Sequence, residues 1–176
     1  MDHLFDDAWR QMQTELAGVK SDRAVAIVSA ALLDSRLEEL LRAFLVENAD
    51  SDDELLDSES GNAPLGTFGA RITMAYAIGL IQRPDRNALR IIKKVRNLFA
   101  HQLGLTFASP EIASRCYAIG QECPTKNVGR GDRGPGELFH ASVCLLAGKL
   151  AENRYLVTEF QMQGTFKNVF RLSRRE

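Results

Sequence analysis

The chain has 176 residues, of which 45 % are hydrophobic and 26 % charged, and its formal net charge is −1. A chain of this length buries a core without disulfide or metal staples, and its composition excludes a disordered or fibrous protein. A charge so near zero excludes a global attraction to nucleic acid, so any anion binding must come from a local patch.

The opening segment, "MDHLFDDAWRQMQ", is acidic and lacks the basic start and apolar run of a signal peptide. Leu4, Ala8, Met12, Leu16 and Val19 share one helical stripe, which predicts an N-terminal helix within residues 1–20. "SDRAVAIVSAALLDSRLEELLRAFLVEN" follows, with Ser21 or Asp22 as its cap. Ala24, Ile27, Val28, Ala31, Leu37, Leu40, Leu41 and Phe44 form its apolar stripe, and Asp34, Glu38 and Glu39 mark its polar side. Residues 49–60, "ADSDDELLDSES", read as a solvated acidic connection, with one apolar pair, Leu55 and Leu56, and room for a short helical turn. The alternating ligands, central Gly and closing Glu of a calcium loop are missing.

"GNAPLGTFGARI" is a Gly/Pro turn leading into a third helix, in which Phe68, Ile72, Ala75 and Tyr76 are spaced for one face and Gly79 is the stop. Pro84 suits the first turn of a fourth helix, "PDRNALRIIKKVRNLFAHQL", which Gly104 ends. "LGLTF" is the best strand candidate. Ser109 before Pro110 caps a short helix, "PEIASRCYAIG". Residues 121–136, "QECPTKNVGRGDRGPG", are a Gly/Pro-rich loop, residues 137–165 a last long helix, and 166–176 a basic tail. With no convincing strand alternation and no internal repeat, the expected fold is all-α. It is a single-domain helical bundle of about five to seven helices with short connections.

Cys116, Cys123 and Cys144 are an odd number without metal-ligand spacing and read as reduced thiols, with Cys144 in the core. The longest apolar stretches, "AVAIVSAALL" and "VCLLAG", are far short of a membrane span. No membrane association is therefore expected, and the inferred location is cytoplasmic. His3 and His140 lie far from His101 in sequence, so no metal or other cofactor is expected. "GRGDRGPG" has the glycines of a phosphate loop but neither its Gly-Lys-Ser/Thr ending nor a preceding strand; a solvated loop is the simpler reading.

The fourth helix concentrates the chemistry. Ala88, Ile91, Ile92, Val95, Leu98, Phe99 and Leu103 line one face, and Arg86, Arg90, Lys93, Lys94, Asn97 and His101 the other. From Arg83 to His101 there are six Lys/Arg and one acid, Asp85. On charge alone this is a solvated face, or one paired to an acidic helix carrying Asp34, Glu38 and Glu39. Read functionally, Arg86, Arg90, Lys93 and Lys94 are candidate anion- or nucleic-acid-binding residues. Arg96, Asn97 and His101 have the makings of a metal-independent ribonuclease. A histidine moves the proton, the arginine fork holds the scissile phosphate, and the amide fixes the imidazole or the phosphate. One histidine does not serve easily as both acid and base in a turnover, so this reading includes a homodimer that supplies two.

"RNLFAH" (96–101) fits the RxxxxH motif of HEPN domains, small helical bundles that often dimerise through the motif helix. Many of these are ribonucleases and others inactive scaffolds. More of the chain resembles the mannitol operon repressor (MltR) family. The segments "DRAVAIVSAALLDSRLEELLRAFL", "GNAPLGTFGARITMAYAIGLI" and "IIKKVRNLFAHQ" occur in that order, within residues 21–107. The resemblance implies an all-helical core over residues 21–120 and transcriptional regulation through a protein partner rather than by direct DNA reading. It also makes Arg96, Asn97 and His101 the positions to test. Leu98 stands where family members often carry an acid, so no role can rest on that carboxylate. The expected function is an MltR-like regulator acting as a dimeric helical interaction module. The alternative is a HEPN-type ribonuclease, with RNA as its partner.

Overall fold

The computed structural model describes residues 10, 14, 21–45, 54–57, 63–123 and 133–162. Within them are five long helices: α1 (Asp22–Phe44), α2 (Phe68–Ala77), α3 (Arg83–His101), α4 (Pro110–Glu122) and α5 (Pro135–Met162). No strand occurs among the described residues. The all-α expectation is met, and "LGLTF" is a turn rather than a strand. Arg10 and Thr14 are helical, but the rest of the first predicted helix, with Trp9, lies outside the described residues, as do the basic tail and residues 124–132.

Local chemistry sets the helix ends. Ser21 Oγ accepts from the Ala24 N–H at the start of α1, and Thr67 Oγ1 from the Ala70 N–H at the start of α2. Pro84 and Pro110 occupy first turns, where a missing N–H costs nothing. Gly79 and Gly104 follow α2 and α3 with φ of 80° and 74°, a conformation that side chains with a Cβ resist.

α1, α3, α4 and α5 close a ring of packed neighbours, and α2 lies in the groove between α1 and α3. Pairings at Glu39–Arg154 and Phe44–Gln161 advance together, so α1 and α5 run parallel. The Asp85–Lys149 contact near the start of α3 and the Phe99–Phe107–Phe139 stack near its end make α3 antiparallel to α5. The core draws on every described helix: Leu33, Leu37, Leu40 and Leu41 from α1, Ile72 from α2, Ile92 and Phe99 from α3, Ile112 from α4, and Phe139 and Leu146 from α5. Each such side chain contributes about 1.5–3 kcal/mol by leaving water.

Leu56, in the helical turn 54–56 of the acidic segment, is fully buried, so that connection is anchored rather than wholly solvated. The three cysteines are buried. Burial pushes the thiols of Cys116 and Cys144 up to about 12 and that of Cys123 to about 11.

Candidate functional site

α3 is the two-faced element. Ala88, Leu89, Ile92, Val95 and Phe99 are buried. Arg83, Arg86, Arg90, Lys93, Lys94, Asn97 and His101 project within an arc of about 100° on the opposite side, reckoned at 3.6 residues per turn. Arg83, Arg90, Lys94 and His101 are exposed, while Arg86, Lys93, Arg96 and Asn97 are half-buried. The helix's one acid, Asp85, is buried and accepts from Lys149 Nζ at 2.6 Å, so it neutralises none of the stripe.

The acidic side of α1 does not neutralise it either. Asp34 and Glu38 hold Arg71 at 2.7 and 2.8 Å, and Glu38 also pairs with Arg42 at 3.1 Å. Glu39 pairs with Arg36 at 2.9 Å and Arg154 at 3.1 Å. Their expected pairing with the α3 stripe is thus corrected: this edge of α1 faces α2 and α5. Among the described residues no carboxylate forms an ion pair with Arg83, Arg86, Arg90, Lys93, Lys94 or Arg96.

The two ends of the stripe differ. At the start of α3, the Arg86 guanidinium lies 4.3 Å from the centroid of the Tyr76 ring and donates to Asn87 Oδ1 at 3.1 Å. Asn87 in turn donates to Glu122 Oε1 at 3.1 Å. In mid-helix, Lys93 Nζ rests against Gly69 in the first turn of α2, a turn with no acidic residue.

At the C-terminal end, Arg96 Nη1 donates to Asn97 Oδ1 at 3.1 Å, which draws its guanidinium toward the Asn97 and His101 side. Asn97 and His101 are one turn apart, so the structure brings the three predicted residues to one corner. No described residue hydrogen-bonds the His101 ring. His140, on α5, is half-buried, and burial lowers its pKa from the ordinary imidazole value. His3 lies outside the described residues, and no metal-binding cluster occurs among them. In the Gly/Pro-rich loop 121–136, Lys126 and Arg130 lie outside the described residues, and Arg133 is half-buried.

Just beyond His101 sits a residue whose placement differs from expectation. Leu103 is 88 % exposed instead of completing the apolar face, because α3 ends at His101 and the chain turns away first. The turn is held firmly. Arg23 donates to Gln102 O, Asp22 Oδ2 accepts from the Phe107 N–H at 2.8 Å, and Ser109 Oγ accepts from the Thr106 N–H at 3.0 Å. The Phe107 ring packs between Phe99 and Phe139, with centroids 5.3 and 5.1 Å away. The result is a hydrogen-bonded corner from which one apolar side chain projects, two residues after His101.

Arg71 was also invisible to stripe reading. Only 3 % exposed, it donates to Asp34, Glu38 and the Leu56 carbonyl. The available signal was its spacing: Phe68, Arg71, Ile72 and Ala75 are i, i+3, i+4 and i+7 on the buried face.

No protein-family model matches the sequence, and neither does any curated protein. Among solved structures, a chain of the X-ray structure of the MtlR-HPr complex from Escherichia coli is similar in fold. The TM-score is 0.59 at 18 % identity, over 86 % of this chain and 99 % of that one. The similarity agrees with the all-helical core expected from the MltR resemblance. No described helix is long and apolar enough to cross a membrane.

Proposed function

We propose that this chain is a regulator of the MltR type, a helical interaction module that works as a homodimer and docks a protein partner at the α3 corner. The observation that carries the reading is Leu103, 88 % exposed just past the end of the helix that bears Arg96, Asn97 and His101. An exposed apolar side chain close in sequence to hydrogen-bonding groups fits an interface with an apolar centre and a polar rim. Fold similarity to a chain from a complex with HPr supports a partner of that kind.

Direct DNA reading is disfavoured on local grounds. A recognition helix contacts bases with its N-terminal residues. Here Asp85, Arg86 and Asn87 are engaged by Lys149, Tyr76 and Glu122 within the fold. Nothing around His101 favours catalysis over docking, so its role here is recognition.

The test is calorimetric titration of the purified chain with HPr, beside Leu103→Glu and His101→Ala. Saturable binding weakened at least tenfold by Leu103→Glu is expected. No heat at high concentration, or equal binding by Leu103→Glu, would overturn the docking site. Light scattering of the free chain tests the dimer. Intact cellular RNA in EDTA is expected for wild type and His101→Ala alike, and cleavage by wild type alone would replace this reading with the ribonuclease.

A further inference from the structure

We propose that the middle of the α3 stripe, Arg90, Lys93 and Lys94 with Arg83 before them, binds the phosphate backbone of single-stranded RNA, on a surface that adjoins the protein-docking corner at Asn97 and His101. Six cations on one helix have no carboxylate partner among the described residues, in a chain of net charge −1. Elsewhere the pattern is different: Arg36, Arg42, Arg71, Arg115, Lys149 and Arg154 are all paired. Outside α3, Arg23 and Arg133 also form no ion pair among the described residues, but they stand apart, whereas α3 gathers six such cations on one helix.

Geometry then selects the ligand. Arg90 and Lys94 are successive turns on one line, so their Cα atoms step by about 6 Å along the helix axis. That step is comparable with the distance between neighbouring phosphates of an extended strand. The row is one helix wide, which suits one strand rather than the two backbones bordering a duplex groove. An acidic protein face would need apolar contacts between the charges to form a dry centre, and the middle of the stripe offers none. Asn97 and His101 continue the same line with hydrogen-bonding groups. Such groups can meet a 2′-hydroxyl, which RNA has and DNA lacks. No bond forms or breaks in this proposal.

The experiment is fluorescence anisotropy with a labelled uridine 20-mer, in EDTA, between about 50 and 200 mM salt. Three or four neutralised phosphates predict a slope of log K against log salt of about −2 to −3. Arg90→Glu with Lys94→Glu should weaken binding at least tenfold and flatten the slope by about 1.4. Both residues are exposed, so this variant should keep its circular dichroism spectrum and its affinity for HPr. Retained HPr binding with lost RNA binding separates this inference from the docking reading. Failure to bind at 50 mM salt, a salt-independent affinity or an unaffected double variant would overturn it. A thymidine 20-mer bound equally well would overturn the assignment to RNA. Displacement of RNA by polyglutamate at equal charge concentration would reassign the surface to an acidic protein.

Discussion

Arg71 shows how much a single side chain can carry in this protein. Its guanidinium meets two carboxylates of α1 and a carbonyl of the turn at 54–56, joining three segments. Arg71→Leu would leave Asp34 and Glu38 facing each other without their cation. Because both acids are partly exposed, the expected loss is about 2–3 kcal/mol, at or below the lower end for breaking a buried pair, read from urea denaturation. His140 sets a second expectation. Burial holds its folded pKa below the ordinary value of 6.5. As pH falls below about 6.5, the unfolded chain takes up a proton that the folded chain refuses. Stability contributed by His140 is thus level above that pH and declines toward the lowered folded value. His140→Gln should remove this part of the decline, measured as the denaturation midpoint at neutral and acidic pH. Spacing places Arg71 on the buried face of α2, but neither residue's energetic role can be read from sequence. The cost or gain of each is set by neighbours far along the chain, whereas the burial of Phe99 follows from its place on an apolar stripe.

At the scale of elements, α3 was the most legible part because its two faces differ so sharply in polarity. The boundaries of α2 and α3 followed from Gly79, Pro84 and Gly104. Their limits appear where periodicity meets a helix end: Leu103 continues the stripe numerically but falls after the last helical residue. The acids of α1 were legible as a polar edge, yet their partners depended on which helix that edge meets. Candidate residues Arg96, Asn97 and His101 were readable as a group because all three share one helix, while the turn just after them is held by Asp22, Arg23 and Phe107, which no local pattern links. Two glycines at opposite ends of α2, Gly69 in its first turn and Gly79 just past its last, give a paired test. A methyl at Gly69 would strike Lys93 Nζ, the movable tip of a long side chain, so Gly69→Ala should change stability by less than about 1 kcal/mol. Gly79 has open space around it but a φ of +80°, so Gly79→Ala should cost about 1 kcal/mol or more in thermal unfolding.

For the molecule as a whole, the decisive fact is that one apolar cluster includes residues of all five described helices. No helix buries its apolar face without the others. Unfolding should therefore be a single cooperative transition, with far-UV and near-UV circular dichroism giving coincident midpoints; separated midpoints would show a part that melts alone. The architecture was legible as a bundle because helical period dominates the sequence. Its neighbour relations were not, since periodicity says which face is apolar and nothing about what covers it.

The parallel pairing of α1 with α5 has a consequence during synthesis. α1 is the first described long helix to leave the ribosome, and α5, which covers it extensively, is the last. More than a hundred residues separate Phe44 from Gln161, which contacts its carbonyl. At cellular elongation rates that gap lasts on the order of ten seconds. Throughout it, Leu33, Leu37, Leu40 and Leu41 are in a nascent chain that has no finished core to enter. A chaperone that shields apolar helices would meet this protein before its own last helix does.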